Sequence, residues 1–134
     1  MKYKIELSEN QARVVQNALE SYLRLRMGQF FDYADEIASA GYEYDKDNPR
    51  NSELFNEYIN RRNDAEDMFN RAFRTAQPKM QNKTDDMITA EDIWRTIRYR
   101  RWSDREEPKP HYTVDAYPPM RIGNEPLPNI EKVE

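Results

Sequence analysis

A chain of 134 residues has the length of one ordinary domain, and 34% charged against 37% hydrophobic residues is a polar composition for a globular protein. The absence of cysteine excludes disulfides, thiolate zinc sites and a cysteine nucleophile. The net charge of -4 argues against sequence-independent nucleic-acid binding, which requires a basic surface, so no DNA partner is expected.

The chain is predicted to begin with a short strand over residues 2–7. Tyr3, Ile5 and Leu7 alternate with charged residues, which is the period of a half-buried strand. The chain opens directly into charged residues, and no apolar run reaches the length of a signal peptide or a membrane span. We therefore expect a cytoplasmic protein without a membrane partner.

A long amphipathic helix is predicted over residues 9–39. Ser8 and Gln11 have the spacing of a capping box at its start, and apolar residues then recur three, four and seven positions apart. Gly41 is placed to end the helix in a left-handed conformation. Gly28 costs about 1 kcal/mol relative to alanine inside a helix, which is often tolerated where another backbone or a ligand comes close.

A second helix is predicted over residues 52–76, after a loop that is rich in turn-forming residues. Asn51 or Ser52 can cap its start, and Pro78 argues against its continuation. Two long helices joined by a loop predict an antiparallel helical hairpin, because this arrangement covers both apolar stripes.

A third, shorter helix is predicted over residues 90–102, with Thr89 as its cap and Asp92 at the capping-box position. Repeated prolines exclude a regular helix from residues 103–134, which we interpret as an extended C-terminal arm. Residues 111–117 form a strand candidate that could pair with the N-terminal strand. The predicted fold is one domain over residues 1–134, mainly α with minor β (α+β).

The third helix carries the densest concentration of arginine and aromatic residues. Arg95, Arg98 and Tyr99 fall on one side of a helix, because residues three and four apart are neighbours. Guanidinium groups can bind phosphates while an aromatic ring stacks on a base. The alternative is structural, since arginines near a helix C-terminus favour the macrodipole and can pair with acids. The acids within reach are Asp92, Asp104, Glu106 and Glu107.

A second concentration lies in the first helix, where Arg26 falls on the apolar stripe. A charge at that position needs a partner, water or a ligand, because burying it alone is prohibitive. It could face a ligand, or it could pair with an acid such as Asp64 or Glu57. Arg62, on the stripe of the second helix, raises the same two possibilities.

No catalytic constellation accompanies these residues. His111 is the only histidine, and no nucleophile or pair of acids lies at a spacing from it that would indicate catalysis. The carboxylates have the spacing of solvated helix faces, and neither a phosphate loop nor a glycine-rich dinucleotide motif is present. We therefore expect no enzyme, no cofactor and no metal site.

Several short stretches of the chain have a recognisable counterpart: Tyr3-Lys4-Ile5-Glu6-Leu7-Ser8, Ala18-Leu19-Glu20-Ser21-Tyr22, Arg24, Met27-Gly28-Gln29-Phe30 and Glu125-Pro126-Leu127-Pro128. In these stretches the chain resembles a group of small phage proteins, and within that group the type I Thoeris anti-defence proteins. This resemblance implies a protein of the host-cell cytoplasm that sequesters cyclic ADP-ribose signals without cleaving them. It also implies homo-oligomers assembled from dimers, up to a hexamer, with pockets at subunit interfaces and, in some members, separate sites for cyclic oligonucleotides.

The resemblance implies a type of pocket in which arginines bind a diphosphate, an aromatic ring stacks on adenine and polar groups bind ribose. The candidates of matching type, completed by Arg101 from the inner face of the third helix, are Arg24, Arg26, Gln29, Phe30, Arg95, Arg98, Tyr99 and Arg101. The alternative function is a phage-encoded inhibitor that binds a host protein through its acidic helical hairpin and its proline-rich arm.

Overall fold

The computed structural model describes residues 1–42, 46–48, 50–80, 83–106 and 113–133, with the backbone alone for residues 77–80. Its helices are α1 (Glu9–Arg26), α2 (Phe31–Ala40), α3 (Ser52–Met80) and α4 (Asp85–Ser103), followed by a 3-10 turn at Val114–Ala116. The chain forms two compact units. The terminal unit comprises Met1–Leu23 with Lys83–Glu134, and the central unit comprises Arg24–Asn82.

The predicted α+β class is wrong, because the described part of the chain contains helices and no strand. The side chains of Tyr3 and Ile5 are exposed, and residues 2–7 have no regular structure. The described part of their expected partner, residues 113–117, contains the 3-10 turn instead. An alternating pattern forms a strand only where a second strand supplies its hydrogen-bond partners.

The predicted helix over residues 9–39 is two helices, because α1 ends in a Schellman motif. The amide of Gln29 donates to the carbonyl of Arg24 at 2.9 Å, and that of Gly28 donates to Leu25 at 3.2 Å. Gly28 has a φ of +73°, the left-handed conformation that this motif requires. The helix breaks because this glycine terminates α1 and lets the chain turn into α2.

Gly28 also lies against an aromatic ring, so its replacement by alanine is expected to be costly. A Cβ atom at this position would lie 2.6 Å from Cε1 of Phe73, in addition to the strain of a left-handed alanine. We expect Gly28→Ala to lower the free energy of unfolding by about 2 kcal/mol, measured by urea denaturation.

Gly41→Ala is the matched control in the same unit. Gly41 follows α2 as predicted, but its φ of -101° is not left-handed. An added Cβ would approach the flexible end of Arg61, which can move away. We expect a loss of less than about 1 kcal/mol for this variant. Equal losses for the two variants would contradict the structural role assigned to Gly28.

The predicted antiparallel hairpin exists within the central unit, but α2 and α3 form it. Phe30, immediately before α2, packs against Phe69 and Phe73 in the C-terminal half of α3. Asp35, farther along α2, accepts a hydrogen bond from Tyr58 near the start of α3. Contacts that run in opposite directions along the two helices establish the antiparallel pairing.

Two of the predicted helix starts are confirmed by side-chain caps. Ser8 and Gln11 exchange hydrogen bonds of 2.8 and 3.2 Å, the reciprocal pattern of a capping box. Asn51 caps α3, since its Oδ1 accepts the amides of Glu53 and Leu54. Short-range polar patterns therefore located both helix starts.

The predicted end of the second helix, residue 76, and the predicted start of the third, residue 90, are wrong. The helix α3 runs to Met80 and includes Pro78, which the sequence was expected to exclude. The helix α4 begins at Asp85, capped by Thr84, whose Oγ1 accepts the amide of Met87 at 3.3 Å. The predicted cap, Thr89, lies inside the helix.

The buried core of the described residues is small. In the terminal unit Leu23, Met87 and Ala90 form a cluster, against which Trp94 and two α1 side chains pack. Large apolar side chains are meanwhile exposed in both units, among them Tyr3, Ile5, Ile37, Phe55, Met68, Tyr117 and Met120. None of the helices in the described ranges combines the length and the apolar character needed to cross a membrane.

Candidate functional site

The eight predicted ligand-binding residues divide between the two units. Four of them, Arg24, Arg26, Gln29 and Phe30, belong to the central unit, and the other four, Arg95, Arg98, Tyr99 and Arg101, lie on α4 in the terminal unit. Each group of four residues therefore has its surroundings within its own unit.

Phe30 is a core residue of the central unit. It is 5% exposed, and its ring stacks on Phe69 and meets Phe73 edge-on, with centroid distances of 5.6 and 5.5 Å. A ring held in this way offers no free face to an adenine base. The neighbouring Gln29 has an exposed side chain, and its backbone amide takes part in the Schellman motif.

The arginines of the central unit have different surroundings. Arg24 forms a surface ion pair with Asp32 at 3.3 Å, a type of contact that contributes little to stability. Arg26 keeps its Nε buried without a hydrogen-bond partner among the described residues. The guanidinium of Arg62 lies 4.8 Å from the centre of the Phe31 ring, and its Nη1 lies 4.0 Å from Oδ1 of Asp35.

Two of the arginines on α4 have strong partners within the terminal unit. Nη2 of Arg95 lies 2.5 Å from Oε1 of Glu91, one turn earlier on the helix. Arg101 donates to Glu9 and to Gln16, each at 2.7 Å. These contacts favour the structural alternative for Arg95 and Arg101.

Arg98 has a different environment, since α4 and the segment after it enclose its guanidinium. Its side chain is 15% exposed, and its Nε lies 3.4 Å from Oδ1 of Asp115. Its Nη2 donates to the carbonyl of Val114 at 3.4 Å. The guanidinium carbon lies 4.3 Å from the centre of the Trp94 ring, a cation–π distance.

Three buried polar atoms on α4 and on the segment that contacts Arg98 lack hydrogen-bond partners among the described residues. They are Nε1 of Trp94, Nε of Arg98 and Oγ1 of Thr113. A buried polar group without a partner costs about 1–3 kcal/mol, so such atoms are usually satisfied by water or a ligand. We call Trp94, Arg98, Thr113, Val114 and Asp115 the Arg98 site.

The chemistry of the Arg98 site suits a small anion. Trp94 and Arg98 can only donate hydrogen bonds, whereas the Thr113 hydroxyl can donate or accept. Ordered water could also satisfy these atoms, which is the structural alternative.

Tyr99, the neighbouring candidate, stacks on Trp102 with ring centroids 6.0 Å apart. The sequence singled out Arg98, but it gave no reason to select Thr113 or Asp115.

Asp92 attaches the C-terminal arm to α4. It is 6% exposed, and its two carboxylate oxygens accept the amides of Ile122 and Gly123, each at 2.9 Å. The sequence interpretation of Asp92, as a helix cap or an arginine partner, missed this role. No local spacing signals it, because its partners lie thirty positions farther along the chain.

The described residues contain no group of three potential metal ligands, and His111 lies outside the described ranges. No protein-family model matches the chain, and no curated protein or solved structure is detectably similar to it. The family is therefore a proposal that depends on the short stretches of resemblance alone.

Proposed function

We propose that the protein is a non-catalytic homo-oligomer that binds and sequesters a phosphate-bearing nucleotide signal of the cyclic ADP-ribose type. It would act in the cytoplasm of a bacterial host cell, as a phage-encoded anti-defence protein of the Thoeris type. The short stretches of sequence resemblance support the nucleotide class. Cyclic oligonucleotides would be further ligands.

The unsatisfied polar atoms of the Arg98 site carry the anion-binding part of this proposal. Two donor groups on one helix, Nε of Arg98 and Nε1 of Trp94, are buried and have no acceptor among the residues that the structure describes. A phosphate oxygen is a strong acceptor for both, and an arginine that is mostly removed from water binds it more strongly than an exposed arginine does. The small core and the exposed apolar side chains support the homo-oligomer.

Arg98→Ala is expected to weaken nucleotide binding by at least about tenfold, because charge-assisted hydrogen bonds contribute about 1.5–3 kcal/mol each. The measurement is calorimetric titration of the purified protein with cyclic ADP-ribose isomers, cyclic di- and trinucleotides, and inorganic pyrophosphate. Arg100→Ala is the matched control on the same helix, since Arg100 pairs with Asp104 and belongs to neither predicted site group. The control variant should bind as the unaltered protein does.

Two results would overturn this proposal. The first is a lack of binding across the whole panel by the unaltered protein. The second is recovery of a cleaved nucleotide after the complex is heated, because a sequestering protein returns its ligand intact. Equal binding by Arg98→Ala and Arg100→Ala would remove the Arg98 site from the proposal.

A second candidate function is inhibition of a host protein through direct contact. The exposed apolar side chains favour it, because scattered residues such as Phe55, Met68 and Met120 are available to a partner surface. The proline-rich arm would be its recognition segment. Native mass separates the two candidates, since a sequestering homo-oligomer assembles alone, whereas an inhibitor that stays monomeric without its target would support this second function.

A further inference from the structure

The carboxylate of Asp115 is paired with the guanidinium of Arg98, the group that the proposed function assigns to a ligand. This carboxylate is the only anionic group paired with Arg98 among the described residues, and it comes from the segment that follows α4. We propose that Asp115 is an internal competitor for Arg98, and that the bound anion displaces it. This inference rests on the proposed function, which it deepens by naming the group that the ligand replaces.

The contact between Arg98 and Asp115 does not have the geometry of a well-formed ion pair. The Nε to Oδ1 distance is 3.4 Å, yet the Nε forms no hydrogen bond within the described part of the chain. Well-formed guanidinium–carboxylate pairs have distances of about 2.7–2.9 Å, and the pair of Arg100 with Asp104 on the same helix reaches 2.9 Å. The carboxylate therefore neutralises Arg98 without satisfying its donor.

The segment that carries Asp115 contacts α4, but none of the side chains from Val114 to Arg121 is fully buried. Beyond Arg98, the side chains of Tyr117 and Met120 are 71% and 78% exposed, so they contribute little packing. The next firm attachment is Asp92, which holds Ile122 and Gly123. Residues 114–121 can therefore move away from Arg98 while the arm stays bound to α4, because few buried contacts would be lost.

The donors that would hold the anion remain in place when this segment moves. Arg98 and Trp94 both lie on α4, and the Trp94 ring supports the guanidinium from one side. A diphosphate offers more acceptor oxygens and more negative charge than a single carboxylate, so it is the stronger competitor for the guanidinium of Arg98. The ligand class that follows is an anion with a diphosphate group, rather than a monocarboxylate.

Asp115→Asn separates competition from structural support, because it removes the charge and keeps the shape. We expect it to tighten the binding of inorganic pyrophosphate by roughly threefold to tenfold, measured by calorimetry on the full chain. Asp104→Asn is the matched control, since Asp104 pairs with Arg100 on the same helix and is about as exposed as Asp115. The control should leave pyrophosphate binding unchanged.

Each outcome distinguishes this inference from the proposed function. Tighter binding by Asp115→Asn alone, or binding by that variant when the unaltered protein shows none, would support the competitor. Unchanged or weaker binding by a folded variant, beside normal binding by the unaltered protein, would overturn it and leave the proposed function standing. Absence of pyrophosphate binding by both proteins would overturn the competitor, and the proposed function would fall with it only if the unaltered protein also bound no nucleotide of the panel. If Asp115→Asn does not fold, Asp115→Ser gives the same comparison.

Discussion

Replacement of Phe30 by alanine is expected to lower the free energy of unfolding by about 4 kcal/mol. The ring is buried between Phe69 and Phe73, so its removal leaves a cavity and eliminates both aromatic contacts. Urea denaturation followed by circular dichroism measures this loss. It would be the largest effect of any single change considered for the central unit.

The adjacent phenylalanine supplies the matched control. Phe31 is 48% exposed, and its recorded ring contact is with Arg62, so Phe31→Ala should cost less than about 1 kcal/mol. The pair also tests the predicted role of Phe30 in stacking on a base. If Phe30 faced a ligand, its removal would reduce nucleotide binding while stability stayed near that of Phe31→Ala, and the core assignment would be wrong.

Replacement of Asp92 by alanine is expected to lower the free energy of unfolding by about 3 kcal/mol. The change removes the carboxylate that accepts the amides of Ile122 and Gly123, and hydrogen bonds to a charged group contribute about 1.5–3 kcal/mol each. Hydrogen exchange provides a local measurement, because these two amides should lose their protection together.

Asp86→Ala is the control for this second change. Asp86 lies in the first turn of the same helix and is exposed, so its loss removes only a favourable interaction with the helix dipole, at most about 1 kcal/mol. Unchanged exchange at Ile122 and Gly123 in Asp92→Ala would show that other contacts hold the arm. Such a result would also weaken the account of how residues 114–121 move independently of the rest of the arm.

Local sequence patterns determined where two of the helices, α1 and α3, begin. Ser8 with Gln11, and Asn51 alone, satisfy amides within three residues of themselves, so their roles can be read without knowing the fold. The apolar periodicity likewise identified helical segments, because a repeat of three and four residues describes one face of a helix. The same kind of reasoning failed for residues 2–7, since a strand depends on a partner elsewhere in the chain.

The candidate site was only partly readable from sequence. The cluster of arginines on α4 was evident, but the sequence could not rank its members. Arg95 and Arg101 have close hydrogen-bond partners. By contrast, Nε of Arg98 and Nε1 of Trp94 are buried without hydrogen-bond partners among the described residues. That ranking depends on which acids approach each guanidinium, and those acids come from positions as distant as Glu9 and Asp115.

The sequence by itself determined that the chain is mainly helical and how two of its helices are capped, because each depends on interactions within a few positions. Only the tertiary structure decided that Gly28 ends a helix, that Phe30 is a core residue and that Asp92 holds the arm. Gly28 and Phe30 meet α3, and Asp92 meets the amides of a segment thirty residues away. Contacts between distant segments leave no local pattern, since their energy depends on the whole packed arrangement rather than on neighbouring residues.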